Sequence, residues 1–106
     1  MFGRQVTLKL KTNSATELTR IAADEIFPIL RKQKGFRDET TFIDPERSEA
    51  IFNSFWDTKA DAEAYGHAAY AEVLKTLSNV IDGTPTVKNF EFASSTLLPL
   101  AASKLV

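Results

Sequence analysis

The stretch Glu49–Asp57 constrains the fold more than any other part of the chain. Read with a period of two, it sets Ala50, Phe52, Ser54 and Trp56 against Ile51, Asn53 and Phe55. Both sides carry aromatics, so this is a strand that needs cover on two faces. Asp57-Thr58 follows, and an alanine-rich helix begins at once. Thr58 and Asp61 have the Thr-x-x-acid spacing of a helix N-cap: the hydroxyl accepts from an orphan backbone N–H, and the carboxylate suits the positive end of the helix dipole. A large amphipathic ring, Trp56, thus stands where a strand hands over to a helix.

The flanking segments complete the pattern. Residues 4–11 alternate, with Arg4, Val6, Leu8 and Leu10 on one side and Gln5, Thr7, Lys9 and Lys11 on the other. Ser14 and Glu17 have capping-box spacing, and Leu18, Ile21, Ala22, Ile26, Ile29 and Leu30 recur at helical intervals up to about Lys34. Pro28 removes one helical hydrogen bond and predicts a kink, while Gly35 suits the left-handed position after a helix. Residues 36–44 form a second strand, with Phe36, Asp38, Thr40 and Phe42 facing one way and Arg37, Glu39, Thr41 and Ile43 the other. The turn at Asp44-Pro45 makes 36–57 a hairpin. The second helix bends near Gly66-His67, continues through the stripe Tyr70, Val73, Leu74, Leu77, Val80 and Ile81, and stops at Asp82-Gly83-Thr84-Pro85. Residues 86–95 read as a last strand, with Phe90 and Phe92 opposite Asn89 and Glu91.

The order β-α-β-β-α-β is the split βαβ arrangement of the ferredoxin-like α+β fold. Right-handed crossovers give a four-stranded antiparallel sheet of order 4-1-3-2 with both helices on one face. The other face then calls for a second copy, sheet against sheet, in a dimeric α+β barrel. One domain is expected over 1–95, with 96–106 as a tail of no clear period.

Composition excludes several functions. Thirteen basic and fourteen acidic residues leave a net charge of −1, so no basic excess is present to neutralise nucleic-acid phosphates. The dense cluster Arg31-Lys32-Gln33-Lys34 reads as a solvated helix end. There is no cysteine and a single histidine, so thiol chemistry drops out and no resident metal or other cofactor is expected. The charged, alternating N-terminus is no signal peptide and no apolar run suits a membrane span, so the cytoplasm is the expected compartment. No nucleophile triad, glycine-rich phosphate loop or HExxH motif occurs.

The helix ending Ile-Leu-Arg-Lys-Gln-Lys-Gly35-Phe36, the acid-containing strand after it, and Ser-Phe-Trp56-Asp57-Thr58-Lys59-Ala-Asp-Ala-Glu-Ala-Tyr65 together resemble the antibiotic biosynthesis monooxygenase family, over about residues 2–93. The resemblance implies a homodimer of the dimeric α+β barrel superfamily with a pocket between sheet and helices. Some members are cofactor-independent oxygenases of phenols or quinols, others degrade haem, and many have no known activity. The haem-degrading pattern needs a His and a Trp on the second helix and an Asn on the first strand. Here those helix positions fall near Lys75 and Tyr65, and residues 4–11 contain no Asn, so haem is disfavoured.

For the oxygenase members the resemblance implies a pocket with an Asn and a Trp near the third strand, helped by the second helix. The nearest candidates are Asn53, Trp56, Tyr65, His67 and Tyr70, with Phe52 and Phe92 as further aromatic walls for a small aromatic molecule. His67 facing the pocket would accept a phenol proton near neutral pH, with Tyr65 or Tyr70 as hydrogen-bond partner; the plainer reading is an exposed residue at a restarted helix. Trp56 is a stacking platform or a core plug. Asn53 lies on the opposite pleat from Trp56, which favours a hydrogen bond across the dimer face over a paired Asn–Trp site. Tyr65 and Tyr70 orient a substrate oxygen or sit with rings in the core and hydroxyls at its edge. Arg37, Glu39 and Thr41, with Gln5, Thr7, Lys9, Asn89 and Glu91 sharing a polar parity on neighbouring strands, read as a polar sheet face wetted or ion-paired in the dimer, the functional alternative being a charged inter-subunit cavity. The alternative function is a non-catalytic ligand-binding or stress-response dimer of the same fold.

Overall fold

The computed structural model describes residues 1–96, so the tail expected at 96–106 lies, apart from Thr96, outside the described residues. The elements are β1 (Phe2–Leu10), α1 (Ala15–Ile21), a π-helical turn (Ala22–Ile26), α2 (Phe27–Arg31), β2 (Phe36–Asp44), β3 (Glu49–Trp56), α3 (Lys59–His67), α4 (Tyr70–Leu77) and β4 (Ile81–Glu91). The sheet order is β2-β3-β1-β4 with every neighbouring pair antiparallel, the ferredoxin-like α+β arrangement and the order the alternation predicts.

One face of the sheet packs on the helices. Phe2, Val6, Leu8 and Leu10 of β1 and Ala50, Phe52 and Trp56 of β3 are buried there against Leu18, Ile21, Ile26, Leu30, Tyr65, Val73 and Leu77. Among the described residues no helix packs on the opposite face. Phe42 and Phe90 are 55% and 52% exposed on it, and Asn53 accepts a 3.1 Å hydrogen bond from the Gln5 amide there.

Local chemistry explains the boundaries. The Asp61 N–H donates to the Thr58 hydroxyl at 3.1 Å, so this cap forms as its spacing predicts. Ser14 makes no such bond to the first turn of α1, and Glu17 pairs with Arg20 instead, so the capping box read at 14–17 is absent. Pro28 has no N–H to give, and the chain absorbs this by widening one turn: the Phe27 N–H reaches back to the Ala22 carbonyl. The bend expected near Gly66-His67 appears as a break between α3 and α4 at Ala68-Ala69. Gly35 takes φ +78°, and a Cβ there would fall 2.1 Å from the Asp61 carboxylate.

Four expectations of register differ from the structure. The second helical stripe ends at Leu77, not at Ile81; the sheet captures Ile81 opposite Leu10, so β4 starts five residues before 86. Gly83, at φ +70°, lies in an irregularity opposite Thr7–Lys9 rather than at a helix end. The register also shifts between Phe36 and Asp38, which turns Phe36 to the helix face beside Trp56. Finally, Asn89 and Glu91 stand opposite Arg4 and Phe2, so they share that face and not the one carrying Gln5.

Candidate functional site

The register brings Asn89, Arg4, Ser54 and Glu39 into one row across all four strands. On the face beneath the helices this polar row lies between two more apolar ones. On one side runs Glu91·Phe2·Trp56·Phe36, and on the other Val87·Val6·Phe52·Thr41. Three of its members sit on strands whose neighbouring side chains form the core.

Aromatic packing fixes what stands over the row. Trp56, 0% exposed, stacks on Tyr65 with ring centroids 5.0 Å apart and meets Phe36 edge-on at 5.5 Å. Tyr65 meets Tyr70 edge-on at 6.0 Å across the α3–α4 break. The Trp56 indole N–H donates to the Ser54 hydroxyl at 2.9 Å, and that hydroxyl donates to the Arg4 carbonyl at 3.3 Å. The Arg4 guanidinium lies 4.3 Å from the Tyr70 centroid and 5.5 Å from that of Tyr65, within cation–π range, and against Gly66. Arg4 is 7% exposed, its Nε has no hydrogen-bond partner, and it forms no ion pair among the described residues.

A slot opens between this layer and the sheet. Val6, Leu8, Phe52, Tyr65, Tyr70 and Leu74 form much of its wall, and Glu39 and Ser54 are the polar groups contributed by the sheet. The unfilled space is about 370 Å³ with its mouth included, of which about 30 Å³ takes the centre of a water molecule. It holds roughly two waters as it stands, and an aromatic ring requires the walls to part. The α3–α4 break is placed for this: Tyr65 precedes it and Tyr70 follows it, with Ala68 at φ −125°, ψ −88° between them.

Burial governs the acid–base state of the slot. It pushes the Glu39 carboxyl up to about 8, helped by the neighbouring Asp38 carboxylate. Glu39 Oε1 and the Thr41 hydroxyl are both buried without a hydrogen-bond partner. Burial also raises Tyr65 and Tyr70, against the opposing pull of Arg4, so both phenols remain proton donors.

Of the residues singled out in the sequence, the slot brings together Phe52, Tyr65 and Tyr70. Trp56 is a core plug behind Tyr65. Asn53 and Phe92 lie instead on the uncovered side, in a wider depression of about 770 Å³ on the same measure, shared with Gln5, Phe55 and Phe90. His67 is exposed and belongs to neither cavity. Arg4 and Ser54 escaped the sequence reading, and Glu39 and Thr41, read there as part of a polar sheet face with Gln5, stand opposite Ser54 and Phe52 beneath the helices because the register shifts between Phe36 and Asp38. The signal was there: Arg4 and Ser54 each fall on the apolar parity of an otherwise hydrophobic strand. Among the described residues no group of three or more His, Asp or Glu is placed to hold a metal ion, and no helix is long and apolar enough to cross a membrane.

No family model matches the sequence, and no curated protein does. Solved structures match well. A monooxygenase from the gene ActVA-Orf6 of Streptomyces coelicolor, in complex with nanaomycin D, is similar with a TM-score of 0.76 and 18% identity, over 91% of this chain and 90% of that one. A protein from Bordetella bronchiseptica, provisionally named an antibiotic biosynthesis monooxygenase, gives 0.74 at 11% identity over 88% and 97%. NE2512 from Nitrosomonas europaea, of unknown function, gives 0.72 at 14% over 91% and 92%. The chain therefore has the fold of the antibiotic biosynthesis monooxygenases, as its helix-end and strand-to-helix motifs imply.

Proposed function

We propose that this protein is a cofactor-independent monooxygenase of a small phenol or quinol, working in the slot beneath α3 and α4 as part of a homodimer. The observation that carries this reading is the Arg4–Tyr70–Tyr65–Trp56 stack, whose two tyrosines line an apolar slot. Such a site suits a flat ring whose hydroxyl has lost its proton: the rings offer stacking surface, the tyrosine hydroxyls donate, and a guanidinium without a carboxylate partner favours an anion. An electron-rich phenolate reacts with O₂ itself. A ring C–H para to the hydroxyl becomes C=O; one oxygen atom enters the quinone and the other leaves as water with the two hydrogens lost. The protein's share is a dry, oriented, anion-stabilising site.

The fold supports this class because a similar chain is named a monooxygenase and binds nanaomycin D. The dimer is supported by the uncovered sheet face, where Phe42, Phe55, Phe90 and Ile51 share a parity. A second reading, ligand binding without turnover, is favoured by the exposure of His67, the base expected from the sequence. Haem degradation gains no support, since the only histidine lies outside the slot.

The test is oxygen uptake with a panel of naphthols and anthrols. Native protein and His67→Ala are expected to consume O₂ equally, and Tyr70→Phe about tenfold more slowly, the usual scale for one polar contact to a developing charge. No uptake with any substrate would leave only the ligand-binding reading.

A further inference from the structure

We propose that Glu39 is the proton acceptor for a hydroxylated aromatic bound in the slot, and so a catalytic residue of the reaction proposed above, on which this inference rests.

Its placement carries the argument. Glu39 is the one carboxyl lining the slot, and it faces Tyr65 and Tyr70 from the sheet side. It stands opposite Ser54 in a row whose other members are Arg4 and Asn89. It forms no ion pair among the described residues; its Oε1 is buried with no hydrogen bond of normal geometry, and the neighbouring Thr41 hydroxyl is the one group beside it that favours the charged form. An unpaired buried carboxyl is destabilising, and structural carboxyls are ordinarily paired or wetted. An orphan oxygen at the wall of an apolar slot is therefore placed for a partner that arrives from outside. A phenolic O–H, with its ring against Phe52, Tyr65 and Leu74, meets that need.

The charged and titratable groups around it are few. Burial disfavours its ionisation most, Asp38, its neighbour on β2, adds to that, and the Thr41 hydroxyl opposes both. Tyr65 of α3 and Tyr70 of α4 remain protonated, and Arg4 lies two strands away against them. Ile26 and Leu30, from the first helical layer, bring no charge. The carboxylate thus forms only above neutral pH, where it is a stronger base than an ordinary glutamate and better matched to a phenol. In the step, the phenol O–H bond breaks, its proton passes to Oε1, and the electron pair stays on the phenolate oxygen. After O₂ has added, the acid returns that proton to the oxygen that leaves as water, and the carboxylate is restored.

Binding of 2-naphthol tests this without requiring oxidation. The native affinity is expected to rise about tenfold as pH climbs through about 8, because the carboxylate accepts a charge-assisted hydrogen bond from the neutral naphthol. Glu39→Gln, similar in shape and fit for a thermal-melting check of folding, is expected to bind with no such rise, while His67→Ala keeps it. A native profile that is flat, or a rise that survives in Glu39→Gln, overturns the assignment of Glu39 even if oxygen is consumed. The expected rise without oxygen uptake from any member of the naphthol and anthrol panel that has a C–H para to its hydroxyl sinks the oxygenase reading and leaves Glu39 as the acceptor in a binding site. No binding to any form overturns both.

Discussion

The Arg4 guanidinium lies 4.3 Å from the centroid of the Tyr70 ring, which ties the second strand from the sheet edge to the first turn after the α3–α4 break. A buried cation held by ring faces and no carboxylate stabilises the fold little. Cation–π contact is worth about 1–2 kcal/mol when desolvated, and burying Nε without a partner opposes it. Arg4→Met is therefore expected to change the unfolding free energy in urea by less than about 1 kcal/mol while weakening oxidation of phenols at least about tenfold. A large loss of stability would make Arg4 a structural residue instead.

Trp56 carries the opposite expectation. It fills the junction of β3, α3 and β2 completely, so Trp56→Ala should cost about 3–5 kcal/mol, enough to unfold much of a marginally stable small domain. Thermal melting checks it.

The pH dependence of stability should report Glu39. Burial pushes its carboxyl up to about 8 in the folded protein against 4.5 for a free glutamate, so the folded state binds the proton more tightly. That contribution is fully present below about 4.5 and is lost as pH rises through about 8. Native stability in urea is expected to fall by about 2–4 kcal/mol across that window from this group, and Glu39→Gln should abolish most of the fall. An unchanged fall in the variant would place the titrating group elsewhere.

Two glycines at positive φ should respond unequally to alanine. At Gly35 the new Cβ would strike Asp61, with its own Cβ 2.7 Å away, whereas at Gly83 nothing lies within 4 Å. Gly35→Ala should cost about 2–4 kcal/mol and Gly83→Ala about 1 kcal/mol, measured by urea unfolding.

The sequence revealed the element order and the sheet order because alternation and helical spacing are local signals. Thr58 capped its helix because its hydroxyl is one turn from Asp61. The misplaced parts depend on pairing between distant strands. Phe36 changed faces through one register shift, and Ile81 left the helix because Leu10 was available to pair with it. The candidate site suffered most. His67 is a suitable base by chemistry but points to solvent, while Arg4, Ser54 and Glu39 belong to three separate segments that only the register aligns. Asn53 and Phe92 were grouped with Trp56, although parity had already set Asn53 on the other pleat.

The uncovered face makes its own prediction. Sedimentation at micromolar concentration should show twice the mass of the 11.8 kDa chain, and Phe90→Lys should shift it toward the monomer. A native monomer would remove the dimer from the account and leave the slot intact.

The most direct test of the slot is a crystal structure with 2-naphthol bound. The ring is expected between Phe52, Tyr65 and Leu74 with its hydroxyl at Glu39, and with Tyr70 displaced from its present contact with Tyr65. A naphthol lodged instead in the wider depression beside Asn53 and Phe92, with the slot still closed, would contradict the account.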